Sequence, residues 1–269
     1  MNSNELPKEF WHFISARLFF VLGMRMITTI VIYQVFHLAN TYMVGLVGLA
    51  EFVPAVLAAL YSGHYIDRHN KKNILVWAYA FYFLCGITLA IISLTQLGLN
   101  VQLKVSIILT VVFCTGIIRS FAGPSANSMI PAIVPKINLP KAISYNSSTW
   151  LISSITGHAF GGLLIAGFGI SNAYVVTAVS ILIAILFALK LKPKPPSLTN
   201  TKEDVFTSIK QGFSYVYNNK NLLGVISLDL FAVLFGGAVA FIPEVAEKIL
   251  RTGPIGYGFL NAAMDLGSL

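Results

Sequence analysis

Two apolar runs, Met43 to Ile66 and Ile74 to Gln96, meet at a short charged stretch, Gly63-His64-Tyr65-Ile66-Asp67-Arg68-His69-Asn70-Lys71-Lys72. The first run holds a single acid, Glu51, and the second has no charge. A helix that crosses a hydrocarbon core roughly 30 Å thick needs about 20 apolar residues, so each run is read as a membrane span. The stretch between them is too short to be a domain, and its charged side chains belong in water at one membrane face.

The pattern repeats along the chain. Spans are read at Phe13–Leu38, Met43–Ile66, Ile74–Gln96, Val105–Ile130, Ala142–Ala166, Asn172–Leu191 and Leu222–Pro243, with an eighth beginning near Gly256. With 56% hydrophobic and 10% charged residues in 269, the chain is too apolar for a soluble globular domain. The expected class is an all-α integral membrane protein. Its +8 charge does not point to nucleic acid, because the basic residues lie in short loops between apolar runs rather than on one patch. Cys85 and Cys114 fall inside apolar segments; no disulfide framework or metal-ligand spacing is present, and no cofactor is expected. The run from Phe13 to Leu38 is too long for a signal-peptide core and is interrupted by Arg17 and Arg25, so it is read as the first helix.

Orientation follows from the cations. Loops after the second, fourth and sixth spans hold Arg68, Lys71 and Lys72, then Lys136 and Lys141, then Lys192, Lys194, Lys202, Lys210 and Lys220; those after the first and fifth hold no lysine or arginine, and the one after the third only Lys104. The N-terminus and the charged stretch are therefore expected in the cytoplasm, with the protein multi-pass in the plasma (inner) membrane. Lys192 to Asn221, opening with Pro193, Pro195 and Pro196, reads as a linker, and Val205, Ile209, Phe213 and Tyr217 give 204–217 the spacing of a surface amphipathic helix. The division is 1–191, a six-span half; 192–221, a cytoplasmic linker; and 222–269, an incomplete second half. Because the sequence ends inside an apolar segment without a polar cap, the expectation is a fragment or truncated product.

Small residues at i, i+4 spacing, Ala55, Ala59 and Gly63 in the second span and Ser153, Gly157 and Gly161 in the fifth, are expected to face close helix contacts. Charges inside the bilayer cost about 2.5–3.5 kcal/mol each on insertion scales and so face the bundle interior. Four stand out: Arg25, Glu51, Arg119 and Asp229. Counting along the helices at 1.5 Å per residue permits a Glu51–Arg25 pair, either a static pair holding two helices in register or a proton- or substrate-linked site. Arg119 cannot release its proton; it can keep a nearby carboxylate ionised, hold an anionic substrate, or bond the carbonyls freed by Pro124. Asp229, in a dry site that favours the neutral carboxyl, is either a proton-coupling group or an inner-gate hydrogen bonder. His158 titrates near neutral pH when unperturbed and is either a coupling group or a packed hydrogen bonder.

The spacing Gly-x-x-x-Asp-Arg-x-x-basic-basic, met by Gly63, Asp67, Arg68, Lys71 and Lys72, resembles the signature loop of the major facilitator superfamily of transporters. Asn70 stands where that family usually has glycine, and Asn is the next-best residue for positive φ. Arg119-x-x-x-Gly123 resembles the motif of the superfamily's proton-coupled exporters. Gly157-His158-Ala159-Phe160-Gly161-Gly162 is similar to their fifth-span antiporter motif, with His158 in place of proline. The strings Gly45 to Pro54, Asn146-Ser147-Ser148 and Leu222 to Phe231 are similar to the bacterial branch of enterobactin- and macrolide-exporter-like proteins.

The resemblance implies a major-facilitator-type helical bundle with a complete N-terminal six-helix half plus one span and the start of another. It implies a secondary transporter exporting a drug- or siderophore-like small molecule, driven by proton antiport and alternating access. The partners are the lipid bilayer, a small-molecule substrate and protons, with no nucleic acid; oligomeric state and substrate identity are left open. Asp67 and its basic neighbours are expected to latch one conformation against the second half. The alternative is a non-transporting membrane scaffold or receptor, or an inactive transporter fragment. Enzyme chemistry is not expected: there is no nucleophile–base constellation and no phosphate-binding Gly-x-x-x-x-Gly-Lys-Ser/Thr loop. In a chain with both halves, Asp67→Asn should insert normally and transport less; unchanged efflux by that variant excludes the latch.

Overall fold

The computed structural model describes residues 5–94, 98–194, 212, 214–235 and 237–268. The main α-helices among the described residues are α1 Lys8–Leu38, α2 Thr41–Arg68, α3 Lys71–Ile92, α4 Val101–Ile133, α5 Leu139–Leu189, α6 Lys220–Phe235 and α7 Gly253–Leu266. Five segments are long and apolar enough to span a membrane, α1 to α4 and the stretch Lys136–Leu189. Three successive helices start on an asparagine: Asn40, Asn70 and Asn100 accept from the amides of Met43, Lys72 and Gln102, occupying donors that a helix start leaves free. Asn70 has φ −65°, so its value here is as a helix cap, not as a residue tolerating positive φ. Its carboxamide oxygen also accepts from the amide of Lys194 at 3.2 Å.

The fifth and sixth predicted spans are the two arms of α5, which meet at one non-helical residue, Gly169, at φ 77° and ψ 170°. Glycine reaches that φ without a Cβ penalty, and the chain reverses there. Tyr145, early in α5, has its ring 5.5 Å from Trp11, and Gly157 and Gly161 pass Arg25 and Thr29. After the reversal, the Tyr174 hydroxyl donates to Gln34 at 2.9 Å and the Ser180 hydroxyl to the Phe19 carbonyl at 2.9 Å. Both arms thus run along α1 in opposite directions. α1 is accordingly the core helix, with Phe10, Phe13, Ala16, Ile30 and Val35 fully buried, while Phe20 stacks on Tyr79 of α3 with centroids 3.9 Å apart.

Contacts also sort the loops to two ends. At one end Lys72 donates to the last-turn carbonyl of Leu189 at 2.9 Å, and Glu9 pairs with Lys194 at 3.0 Å. At the other, Tyr33 donates to Glu247 at 2.6 Å and Thr41 to Glu244 at 2.8 Å. Lys248 foremost, then Thr41, holds the partly exposed Glu244 carboxyl below its ordinary range.

Two expectations are corrected here. The seventh predicted span does not run unbroken to Pro243: α6 stops at Phe235, a 3-10 turn covers Gly237–Phe241 and a π-helical turn covers Val245–Ile249. The Gly236-Gly237 pair in the sequence, followed by Pro243, disfavours a continuous helix. Among the described residues the Ala55–Ala59–Gly63 ridge is not a contact face, since a Cβ at Gly63 would meet nothing within 4 Å; α2 buries Val44, Val47, Pro54, Ser62 and Ile66 instead. The surface helix expected over 204–217 lies mostly outside the described residues.

The glycines of α5 are different. A Cβ on Gly157 would sit 2.7 Å from the Arg25 Cβ and 2.8 Å from the Leu22 carbonyl, and one on Gly161 2.9 Å from the Thr29 Cβ. Gly157→Ala should lower stability by about 1–3 kcal/mol through overpacking, whereas Gly63→Ala should raise it by about 0.5–1 kcal/mol. Thermal unfolding of the two variants in detergent checks the opposite signs.

Candidate functional site between the membrane helices

Gly116 lets α4 approach α2 so closely that any Cβ there would fall against the Glu51 carbonyl oxygen. Arg119 lies three residues further along α4, and its Nη1 donates to Glu51 Oε1 in a salt bridge. The pair is partly exposed, 33% for the arginine side chain and 22% for the glutamate. Glu51 therefore pairs with Arg119, not with Arg25 as the sequence count permitted. The reason is tertiary: α2 packs along α4, and its contact with α1 is slight. Pro54 of α2 lies against Gly116 as well.

Arg25 belongs to a second polar group, shared by α1, α5 and α7. Its guanidinium lies 5.0 Å above the Trp150 ring, a cation–π contact suited to a desolvated cation, and it is close enough to Asp265 for electrostatic attraction. Asp265 Oδ2 accepts from the Ser154 hydroxyl and lies 3.7 Å from His158 Nε2. The opposite ring nitrogen, Nδ1, is 2.7 Å from the Thr29 hydroxyl oxygen. This group can form because α5 and α7 nearly touch: a Cβ on Gly162 would meet the Gly258 Cα at 2.9 Å, and one on Gly258 the His158 carbonyl at 2.8 Å. The glycines of the antiporter-like motif thus have distinct positions, with Gly157 and Gly161 against α1 and Gly162 against α7.

The remaining expected residues are not drawn into either group. Asp229 is exposed on α6, and among the described residues little packs against that helix. Gly63, Asp67 and Arg68 are exposed, and Asp67 makes no ion pair among the described residues. Lys71 is buried, and Lys72 caps α5 at Leu189. No cluster of three or more metal-ligating side chains occurs among the described residues.

Four members of the α1–α5–α7 group, Thr29, Trp150, Ser154 and Asp265, were not singled out from the sequence. Asp265 was legible: it is the one charge between Gly256 and Leu266, and the bilayer-charge rule selects it once that stretch is counted as a span. Arg17, whose Nη2 reaches Asn127 at 3.4 Å while its side chain is buried, follows the same rule. Two cavities flank the bundle, of about 630 Å³ beside Tyr65, Asn73, Trp77 and Phe121 and of about 730 Å³ beside Tyr33, Gln34, His37 and Ser171. Both are of a size that holds a drug-like ligand.

A family profile described as "Transmembrane secretion effector" matches residues 22–269. The chain belongs to the transmembrane secretion effector family. The likeness to the major facilitator superfamily and its drug- and siderophore-exporter branch is borne out by this family and by its relatives. Macrolide efflux protein A of Streptococcus pyogenes is 22% identical over 243 residues, 89% of this chain and 59% of that protein. The enterobactin exporter EntS of Shigella boydii is 25% identical over 236 residues, 85% of this chain and 53% of that protein. The staphyloferrin A transporter of Staphylococcus aureus is 24% identical over 165 residues, 61% and 40% respectively. This family member thus spans 59% or less of the length of these three relatives. Its fold is that of a bacterial homologue of the human lysosomal transporter Spinster, solved inward-facing and unoccupied, with a TM-score of 0.70, 16% identity, and coverage of 97% of this chain and 60% of that one.

Within this family member, the Glu51–Arg119 pair should behave as a unit. Removing one partner leaves a half-buried charge unsatisfied, a loss on the order of 1–3 kcal/mol. Glu51→Gln and Arg119→Gln should each lower the unfolding temperature, and the double variant should recover part of the loss. Additive losses in that double-mutant cycle would show that the two side chains do not interact.

Proposed function

We propose that the protein exports a small molecule of the drug or siderophore kind across the bacterial inner membrane, exchanging it for protons by alternating access. The observation that carries this reading is the charged group at the junction of α1 and α5 with α7. Ionisable side chains held in a span are expensive to bury, and these sit where helices before the linker meet a helix after it. A conformational change between the units 1–191 and 222–269, joined by 192–221, has to make and break contacts there. The partly exposed Glu51–Arg119 pair lies on the neighbouring α2–α4 contact, within reach of substrate-linked change. The names of the relatives supply the substrate class, and the absence of a phosphate-binding loop in the sequence favours an ion gradient over direct nucleotide drive.

The N-terminus faces the cytoplasm in this reading. Lys8, Arg68, Lys71, Lys72, Lys190, Lys192 and Lys194 gather at the end where Glu9, Asn70 and Leu189 meet, and cations concentrate on the cytoplasmic side. Asp67 and Arg68, exposed at that end, are free to engage a second half when the halves close.

Proteoliposomes carrying the protein and loaded with erythromycin test the proposal. A pH gradient, acid outside, should accelerate efflux severalfold, and a protonophore should remove the acceleration. Equal flux with and without the gradient rejects proton exchange.

A further inference from the structure

The contacts around His158 offer a consistent placement of its protons. Thr29 has one hydroxyl hydrogen, and the Thr29 hydroxyl donates to the Arg25 carbonyl at 3.0 Å. With that hydrogen placed on the Arg25 carbonyl, the Thr29 oxygen accepts from His158, 2.7 Å away, and Nδ1 is the nitrogen that carries a hydrogen. In a neutral imidazole the other nitrogen, Nε2, is then a bare acceptor. Nε2 faces Asp265 Oδ2 at 3.7 Å, and that oxygen already takes the Ser154 hydroxyl hydrogen. An ionised carboxylate offers only lone pairs. Two acceptors thus confront each other across a gap slightly too long for a hydrogen bond, in a seam where His158 is 7% exposed and Thr29 1%.

We propose that Asp265 and His158 form a binding site for a single proton, which fastens α7 to α5 when bound. The proton comes from water and returns to water; while bound it belongs to the pair rather than to either residue, completing an Nε2···H···Oδ2 bridge. A charge-assisted bridge is about 2.8 Å long, so occupancy draws the two helices together at this level. The groups facing the pair set the terms. Arg25 on α1, held over Trp150 of α5, lies near both members; Tyr82 of α3 and Arg119 of α4 face Arg25 in turn, and Glu51 of α2 neutralises Arg119. With its own charge uncompensated by any second acid in the group, Arg25 repels a proton on His158 once Asp265 withdraws. Separation of α7 from α5 therefore expels the proton, and binding of the proton selects the closed seam.

The site deepens the export reading and rests on it only for its role in transport. The test is nitrogen NMR of the purified chain, labelled with 15N-histidine, in lipid nanodiscs between about pH 5 and about pH 8. His158 Nδ1 should be protonated throughout, and Nε2 should pass from bare to hydrogen-bonded or protonated as the pH falls. Asp265→Asn places an amide donor against Nε2 in place of the proton, and the Nε2 signal should then be independent of pH. A wild-type His158 that carries its hydrogen on Nε2 in alkaline medium overturns the proposal without recourse to any variant. So does an Asp265→Asn protein whose His158 titrates as in the wild type. Erythromycin efflux from proteoliposomes separates the two readings. If the pair titrates as described while efflux ignores the pH gradient, the proton site stands and the export reading falls. If efflux follows the gradient and Asp265→Asn follows it equally well, the pair does not carry the coupled proton.

Discussion

Hydrocarbon offers no hydrogen bonds and no counterions, so each polar group that enters a span must be met by another part of the protein. In this chain that requirement can be satisfied only where backbones come close enough for short side chains to reach across. The close points are made by glycine: Gly116 under Glu51 for α2 and α4, Gly157 and Gly161 beside α1, and Gly162 against Gly258 for α5 and α7. Each of the two intramembrane charged groups lies within a turn of such a point. Packing by small residues and pairing of charges are the same feature viewed from two sides. A methyl group at any of these glycines would push apart the helices that the charges need adjacent.

The position of α1 follows from the same geometry. Both arms of α5 lie along it, the first through glycines and the second through Tyr174 and Ser180. Its side chains are buried on nearly every face, including Thr29 and Gln34. Gln34 is satisfied from two directions, donating to Ser93 of the α3 C-cap and accepting from Tyr174. Such a helix gains little from amphipathic patterning, which is why the sequence around it reads as uniformly apolar. Arg25, on this helix, therefore sits at a place from which α5, α7 and the α4 arginine are all within electrostatic range.

The proposed export would require a protein whose interior reorganises without exposing bare charge to lipid. The two charged groups are compatible with that demand for different reasons. Glu51 and Arg119 neutralise each other within the helices that precede the linker, so they can move as one body. Arg25, His158 and Asp265 are divided between helices on the two sides of the linker, so relative motion changes their contacts directly. In the proposed exchange, the coupling of an ion to motion is assigned to the divided group.

Hydropathy was sufficient to place the membrane class, the early spans and their order, because these depend on chain segments acting one at a time in a slab of fixed thickness. The signature spacing around Asp67 and the glycine motif around His158 were legible for the same local reason. What the tertiary structure decided was partnership. Glu51 had two arginines at suitable depth, Arg25 and Arg119, and helix rise alone does not distinguish them; the neighbour of α2 does. Asp229 and Asp265 are both acids in apolar stretches after the linker, yet one is exposed on α6 and the other is held by Ser154 beside His158. Depth along a helix is written in the sequence, whereas azimuth and neighbour come from packing, and it is those two that determine which charges meet.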